Sequence, residues 1–261
     1  MLTSAQLAER LRAAGAAARA AGDLARSYLA DPSRLDVTRK GPQDVATAAD
    51  GAVERMIVTR LSSAFPGDAF LGEEGGGVPG DPCWVIDPID GTANFARGLP
   101  HWCVSIAFVV DGRVELGVIC DPCHDLLYTA RRGGGARCND RPIEVSATTD
   151  IRRATVDAGC SGRVEIDDFT GLVRRLLTAG ANVTQGGSAA LGLARVADGR
   201  LDGYAERHLY AWDALAGLLL VEEAGGRVNA FLTGAALTQG NKTIAATKAL
   251  YPAIAAALDP A

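Results

Sequence analysis

No long hydrophobic run crosses this chain. The longest fully apolar stretch, near Ala214 to Val221, is cut off by Glu222-Glu223, well short of the roughly 20 residues a membrane helix needs. The opening Met1-Leu2-Thr3-Ser4-Ala5-Gln6-Leu7-Ala8-Glu9-Arg10 lacks a basic head followed by an apolar stretch, so no signal peptide is expected. There is no long run of either charge, and the formal net charge is −5. A nucleic-acid surface would need clustered Lys and Arg, so none is expected. The six cysteines (Cys83, Cys103, Cys120, Cys123, Cys138 and Cys160) form a single Cys-x-x-Cys, Cys120-Asp121-Pro122-Cys123. A structural zinc site would want a second pair, and a redox pair would open a helix rather than follow a strand. They read as ordinary reduced thiols. No linker, internal repeat or low-complexity tract interrupts the sequence. A soluble, cytoplasmic, globular protein is expected, with no membrane and no nucleic-acid partner.

Within that frame, 261 residues with 48% hydrophobic and 22% charged composition suffice for one large domain or two ordinary ones. Leu7, Leu11, Ala14, Ala18, Ala21, Ala25 and Tyr28 recur at helical spacing, which predicts an amphipathic first helix. Residues Val37 to Val45 hold Gly41 and Pro42 without a helical stripe and read as an extended arm or loop. Thr47-Ala48-Ala49-Asp50 resembles a capping box, opening a helix whose buried stripe is Val53, Ile57, Leu61 and Ala64. That helix ends by Phe65-Pro66-Gly67. Short strands follow near Phe70-Leu71, Trp84 to Asp87, Val104 to Val110 and Arg113 to Ile119, with hairpin turns at Asp111-Gly112 and Asn139-Asp140. The first half is thus two helices and an antiparallel sheet. After about Ser146, helical stripes (Phe169, Leu172, Val173, Leu176; then Leu191, Leu193, Val196) alternate with strands near Val183, Asp202 to Ala205, Val228 and Ile244 to Ala246. This indicates an α/β second half. The expected division is an N-terminal α+β domain over 1–146 and a C-terminal α/β domain over 147–261, sharing a broad interface.

The most informative segment is Trp84-Val85-Ile86-Asp87-Pro88-Ile89-Asp90-Gly91-Thr92-Ala93-Asn94-Phe95. A buried strand runs to Asp87, Pro88 stops the ladder, and Asp90-Gly91-Thr92 is turn chemistry. Two carboxylates facing one point repel unless a cation lies between them. Gly91 and Thr92 would offer backbone N–H groups to an anion beside that cation. Both aspartates also have a plainer reading, as caps on local amides. Three further acidic features carry similar alternatives. Gly72-Glu73-Glu74-Gly75 is either a solvated turn or a ligand loop. Asp50 has a plain reading as a helix cap. Asp213, after Trp212 and before the apolar Ala214 to Leu220, either serves a helix dipole or faces a site. Glu206 stands seven residues earlier, at the end of the Tyr204-Ala205 strand.

In this order, these segments resemble the inositol monophosphatase family of magnesium-dependent, lithium-sensitive phosphatases over nearly the whole chain. Trp84 to Phe95 is similar to the family's first signature. Ala211-Trp212-Asp213-Ala214-Leu215-Ala216-Gly217, followed by Glu222-Glu223-Ala224-Gly225-Gly226, is similar to the second. Gly72-Glu73-Glu74 and Asp44 to Asp50 also correspond. The resemblance implies a layered α/β/α/β/α sandwich, of the inositol monophosphatase/fructose bisphosphatase type, assembled as a homodimer. It implies Mg²⁺, two or three ions, and inhibition by Li⁺. Glu73, Asp87 and the Ile89 carbonyl would hold the first ion; Asp87, Asp90 and Asp213 would hold the second; Glu73 would share a third. Thr92, paired with Asp50, would help position and deprotonate the attacking water. The Gly91 and Thr92 amides would receive phosphate oxygens, and Ala189 and Glu206 would contact the alcohol portion of the substrate. No covalent intermediate is required.

The sequence departs from the family's pattern at Thr184-Gln185-Gly186, where a pair of arginines often precedes the Gly187-Ser188 step. The expected activity is a Mg²⁺-dependent phosphomonoesterase acting on a small alcohol phosphate such as myo-inositol 1-phosphate. Histidinol phosphate is the alternative substrate, and a non-catalytic regulatory protein on the same fold is the alternative role. A glycosidase fits poorly, because Asp87 and Asp90 lie too close in sequence to flank a sugar.

Overall fold

The computed structural model describes residues 2–41 and 44–259. Helix α1 (Ser4–Leu29) opens with a capping box: Thr3 accepts from the Gln6 amide, and the Gln6 side chain accepts from the Thr3 amide at 2.8 Å. Within the arm expected over 37–45, β1 (Thr38–Gly41) and β2 (Asp44–Ala46) pair antiparallel. Pro42 lies outside the described residues. Helix α2 (Ala48–Ala64) starts at Thr47 with the expected box to Asp50. Val53, Ile57 and Leu61 are buried as expected. Ala64 is exposed, a correction to its stripe, because the helix ends there and Phe65 takes the buried place.

The first sheet has seven strands in chain order: β3 (Ala69–Gly72), β4 (Cys83–Asp90), β5 (Cys103–Val110), β6 (Arg113–Asp121), β7 (Leu126–Arg131), β8 (Gly135–Cys138) and β9 (Arg141–Pro142). The short helix α3 (Thr92–Phe95) follows β4. Asp111 and Gly112 have φ of 50° and 68°, and Asn139 and Asp140 have 45° and 64°. Paired left-handed residues are what a two-residue hairpin needs. The sheet is not wholly antiparallel, since β3 runs parallel to β4. β4 also continues past Asp87 to Asp90, where the expectation ended it. Strand β7 has no clear alternation in the sequence because Leu126 and Leu127 pack toward cores on opposite faces; Tyr128 and Ala130 are its buried residues.

The rest of the chain builds a second sheet: β10 (Thr155–Ala158), α4 (Ile166–Thr178), β11 (Asn182–Thr184), α5 (Ala189–Ala197), β12 (Gly203–Leu209), α6 (Ala211–Glu223), β13 (Arg227–Val228), α7 (Ala236–Gln239), β14 (Asn241–Ala246) and α8 (Tyr251–Leu258). Its order is β11-β10-β12-β14-β13, parallel at β10's two neighbours and antiparallel across β14.

Three apolar clusters define five layers. Helices α1 and α2 cover one face of the first sheet through Trp84, Ile86, Phe108 and Val118. The opposite face, with Val85, Ile119 and Tyr128, packs on α5 and α6, and these helices also meet Tyr204 and Ala245 of the second sheet. Beyond that sheet, Val156, Ala205 and Ile244 pack on Leu172 and Leu176 of α4 and Ile254 of α8. This is the α/β/α/β/α sandwich. Its middle layer explains the sequence of α6: a helix enclosed by two sheets is apolar all round, and Ala214 through Val221 are buried without a break. Among the described residues, no helix is long and apolar enough to cross a membrane.

Candidate active site

Residues three apart in a regular strand point to opposite faces. Asp87 and Asp90 escape this because the β4–β5 register slips between them. Pro88 has no N–H for the ladder, and the Ile89 amide turns back to the Asp87 carboxylate at 2.9 Å. The bulge re-aims the two carboxylates to one side. Asp213 reaches the same point from the first turn of α6, where it accepts the Tyr210 amide at 3.1 Å. Carboxylate oxygens of Asp87, Asp90 and Asp213 lie within 4.8 Å of one another, and all three residues are buried.

Burial raises all three pKa values above the usual carboxylate range. For Asp87 the charges of Glu73, Asp90 and Asp213 add to it. For Asp90 the bonds from Ser188, Ala190, Ala189 and Cys103 oppose it. Asp213 is pushed up to about 7, by burial first and by Asp90 next. Such a trio favours protons or a cation over three bare charges. The donors are all hard oxygens, which suits Mg²⁺ or another hard divalent ion.

The loop's other members are fixed with equal care. Gly91 sits at φ 91°, a left-handed conformation, as the cap of α3. A Cβ there would also lie 3.0 Å from the His101 carbonyl oxygen and 3.1 Å from the Ser188 Cβ. The Thr92 hydroxyl lies 3.2 Å from Asp50 Oδ1 and 2.9 Å from the Ile89 carbonyl oxygen. Asp50 is a cap as well, accepting the Thr47 amide at 2.8 Å and the Thr47 hydroxyl at 2.6 Å. The capping and site readings therefore coexist. The Asn94 side chain donates to the carbonyls of His101 at 2.8 Å and Gly186 at 3.0 Å, tying this loop to the second half.

Asp90 accepts from the Ser188 hydroxyl at 2.5 Å, the Ala190 amide at 2.8 Å and the Ala189 amide at 3.3 Å. It thereby serves the N-terminus of α5, and Ala189 meets this carboxylate as well as lining the cavity. That cavity, of about 360 Å³, runs from Asp90 and Asp213 past Ser188 to Glu206, Asp157 and Arg163. Glu206 is buried and accepts the Tyr204 hydroxyl at 2.5 Å. Burial pushes it up to about 7, against the pull of Tyr204 and Arg163.

Glu73 is not one of that trio, though its charge is the strongest carboxylate influence on Asp87. Its amide donates to the Ile86 carbonyl at 3.2 Å. Sequence reasoning missed what holds its loop. Glu54, buried in α2, accepts the amides of Glu74 at 2.9 Å and Gly75 at 2.6 Å. The signal was present: an acidic residue beside Val53 on the buried face of a helix. Ser188, Asp157 and Arg163 were also missed, because nothing in local pattern marks them.

A model of the inositol monophosphatase family matches residues 6–261. The chain is 39% identical over 244 residues to an inositol-1-monophosphatase of Mesorhizobium japonicum, covering 92% of this chain and 91% of that one. It is 37% identical over 253 residues to Nus factor SuhB of Pseudomonas aeruginosa, covering 94% and 93%. Among solved structures, the Thermotoga maritima IMPase superposes with a TM-score of 0.85 at 31% identity, covering 96% of this chain and 97% of that one. With nearly its whole length matched by the family model and by relatives of similar size, and with the same layered fold, the chain belongs to the inositol monophosphatase family.

Proposed function

We propose that this chain is a Mg²⁺-dependent phosphomonoesterase that hydrolyses a small alcohol monophosphate, with myo-inositol 1-phosphate as the leading substrate. The observation that carries this reading is the convergence of Asp87, Asp90 and Asp213 beside a hydroxyl–carboxylate pair, Thr92 and Asp50, at the head of an open cavity. Asp87, Asp90 and Asp213, with Glu73 and the Ile89 carbonyl, form the proposed ligand set for two or three ions. A divalent ion held there supplies Lewis-acid charge, which activates water and offsets the phosphoryl oxygens.

The protein's own groups do the rest. Asp50 accepts the Thr92 proton, leaving the Thr92 oxygen free to take a proton from water. The amides of Gly91 and Thr92, at the start of α3, donate to phosphoryl oxygens as charge spreads. Ala189 and Glu206 meet the leaving alcohol. No side-chain nucleophile is needed. The two sheets are read as two units, 1–146 and 147–261, with Asp213 delivered from the second into the first. Inhibition by Li⁺, assembly as a homodimer and a cytoplasmic location belong to the same proposal.

Several relatives carry the name Nus factor SuhB, at 37–43% identity. That observation favours a second reading, a regulatory role on the same fold. A phosphate-release assay tests the first reading. A panel of inositol, histidinol, sugar and aryl phosphates, with and without Mg²⁺, should show metal-dependent hydrolysis, greatest for the inositol ester. Hydrolysis of none of them would leave the regulatory reading standing.

A further inference from the structure

Four carboxylates line the cavity: Asp90, Asp157, Glu206 and Asp213. Two of them, Asp90 and Asp213, belong to the proposed ion site. Asp157 and Glu206 remain on the far wall, each only 3% exposed. Asp157 accepts the Gly186 amide at 3.1 Å and Glu206 accepts the Tyr204 hydroxyl. By itself such a wall would attract an ammonium group as readily as a hydroxyl. Among the described residues lining the cavity, one cation opposes this, Arg163.

Arg163 is an exposed residue of the loop after β10 that sits against an aromatic ring at the cavity. Its guanidinium carbon sits 4.3 Å from the centre of the Tyr210 ring. Tyr210 in turn stacks on Trp212, with centroids 4.6 Å apart and planes at 25°. Trp212 is anchored through its carbonyl, which accepts the Ser105 hydroxyl at 2.9 Å. A flat guanidinium over an aromatic face is a favoured arrangement that an ammonium does not reproduce. Its charge is felt within the cavity: burial raises Glu206, and Tyr204 and Arg163 pull it back down.

We propose that Arg163 is the specificity-determining residue of this cavity, tuning it toward phosphate esters of uncharged polyols and against those of amino alcohols. The proposal rests on the phosphomonoesterase reading. The chemistry follows from donor and acceptor counts. A sugar-like hydroxyl donates one hydrogen bond and accepts others, so it is served by carboxylates and a guanidinium together. An ammonium has three donors and no acceptor. It gains nothing from Arg163 and meets a like charge in a partly desolvated space. Selectivity built from an attractive element and a repulsive one exceeds what either gives alone.

The test compares steady-state kinetics of the Mg²⁺-loaded enzyme, wild type and Arg163→Gln, on myo-inositol 1-phosphate, histidinol phosphate and an aryl phosphate. For the glutamine variant, kcat/KM on the inositol ester should fall about tenfold, mostly through KM. On histidinol phosphate it should rise. Arg163→Lys, which keeps charge and loses the flat stack, should lose activity on the inositol ester while still disfavouring histidinol phosphate. Equal changes on both esters would overturn the proposal, assigning Arg163 to the shared phosphate or to the loop alone. If wild type hydrolyses none of the three, the phosphatase reading fails, and the proposal falls with it. That outcome is distinct from an active enzyme with an unchanged substrate ratio.

Discussion

The proposed ion site and the cavity beside it are built in opposite ways. At the first, six consecutive residues, Asp87 to Thr92, supply two carboxylates, a carbonyl, two amides and a hydroxyl, and Asp50, Glu73 and Asp213 come from other elements. In the second, Asp157, Arg163, Ser188 and Glu206 come from β10, the loop after it, the step before α5 and β12, and Tyr210, against Arg163, is the cap of α6. A bulge in a single strand assembles most of the first. The second exists only once the sheet β11-β10-β12 has paired and α6 has packed. Chemistry is thus written locally, and selectivity is written in tertiary contacts.

The sharpest way to break this contrast is Asp90→Asn. Asp90 faces the other carboxylates and also receives the α5 N-terminus. Activity should fall at least about 10³-fold, beyond the ~10²–10³ that loss of one transition-state donor costs. A wild-type biological effect with a lost turnover would instead favour the regulatory role. Thr92→Ala should come next, with kcat down by roughly 10²-fold, within the range for proton-transfer groups. KM should change little, as stopped-time phosphate release would show.

Glu54→Gln sharpens the comparison from behind the ion site. Glu54 accepts amides of the Glu73 loop, so it acts as a positioning residue. The Mg²⁺ concentration for half-maximal activity should rise roughly tenfold, as for other outer partners of metal ligands. At saturating Mg²⁺, kcat should recover. A loss that excess metal does not rescue would argue for simple misfolding of the loop.

The smallest effect concerns pH. Asp213 has an ordinary value of 3.8 and is pushed up to about 7 in the folded, metal-free protein. Between these values the native state holds more protons than the unfolded chain. Stability of the metal-free protein therefore falls as pH rises through that window. Calorimetry in chelator should show Tm lower at pH 8 than at pH 5 by on the order of 5 °C, at about 2–4 °C per kcal/mol for a chain of this size. Asp213→Asn should flatten the slope, and Mg²⁺ should oppose it.

What was legible follows the same division. The capping box at Thr47, the turns at Asp111-Gly112 and Asn139-Asp140, and the buried α6 all follow from local propensity. Legibility failed where long-range pairing decides. Strand β10 is four residues long and owes its place to two parallel neighbours. β4 extends beyond Pro88 because β5 holds it through the bulge. Glu54 reads as a helix residue until the loop at 72–75 folds onto it, and Arg163 reads as one more exposed charge until the fold sets it against Tyr210 at the cavity.

Asp213, remote in sequence, is expected to complete the Asp87–Asp90 pair as a divalent-ion site. Crystals soaked in Mn²⁺, a hard-oxygen substitute for Mg²⁺, test this through anomalous scattering. A peak about 2.0–2.4 Å from oxygens of Asp87, Asp90 and Asp213 is expected, lost in Asp213→Asn. No peak among these carboxylates at saturating Mn²⁺, with the fold intact, would contradict it.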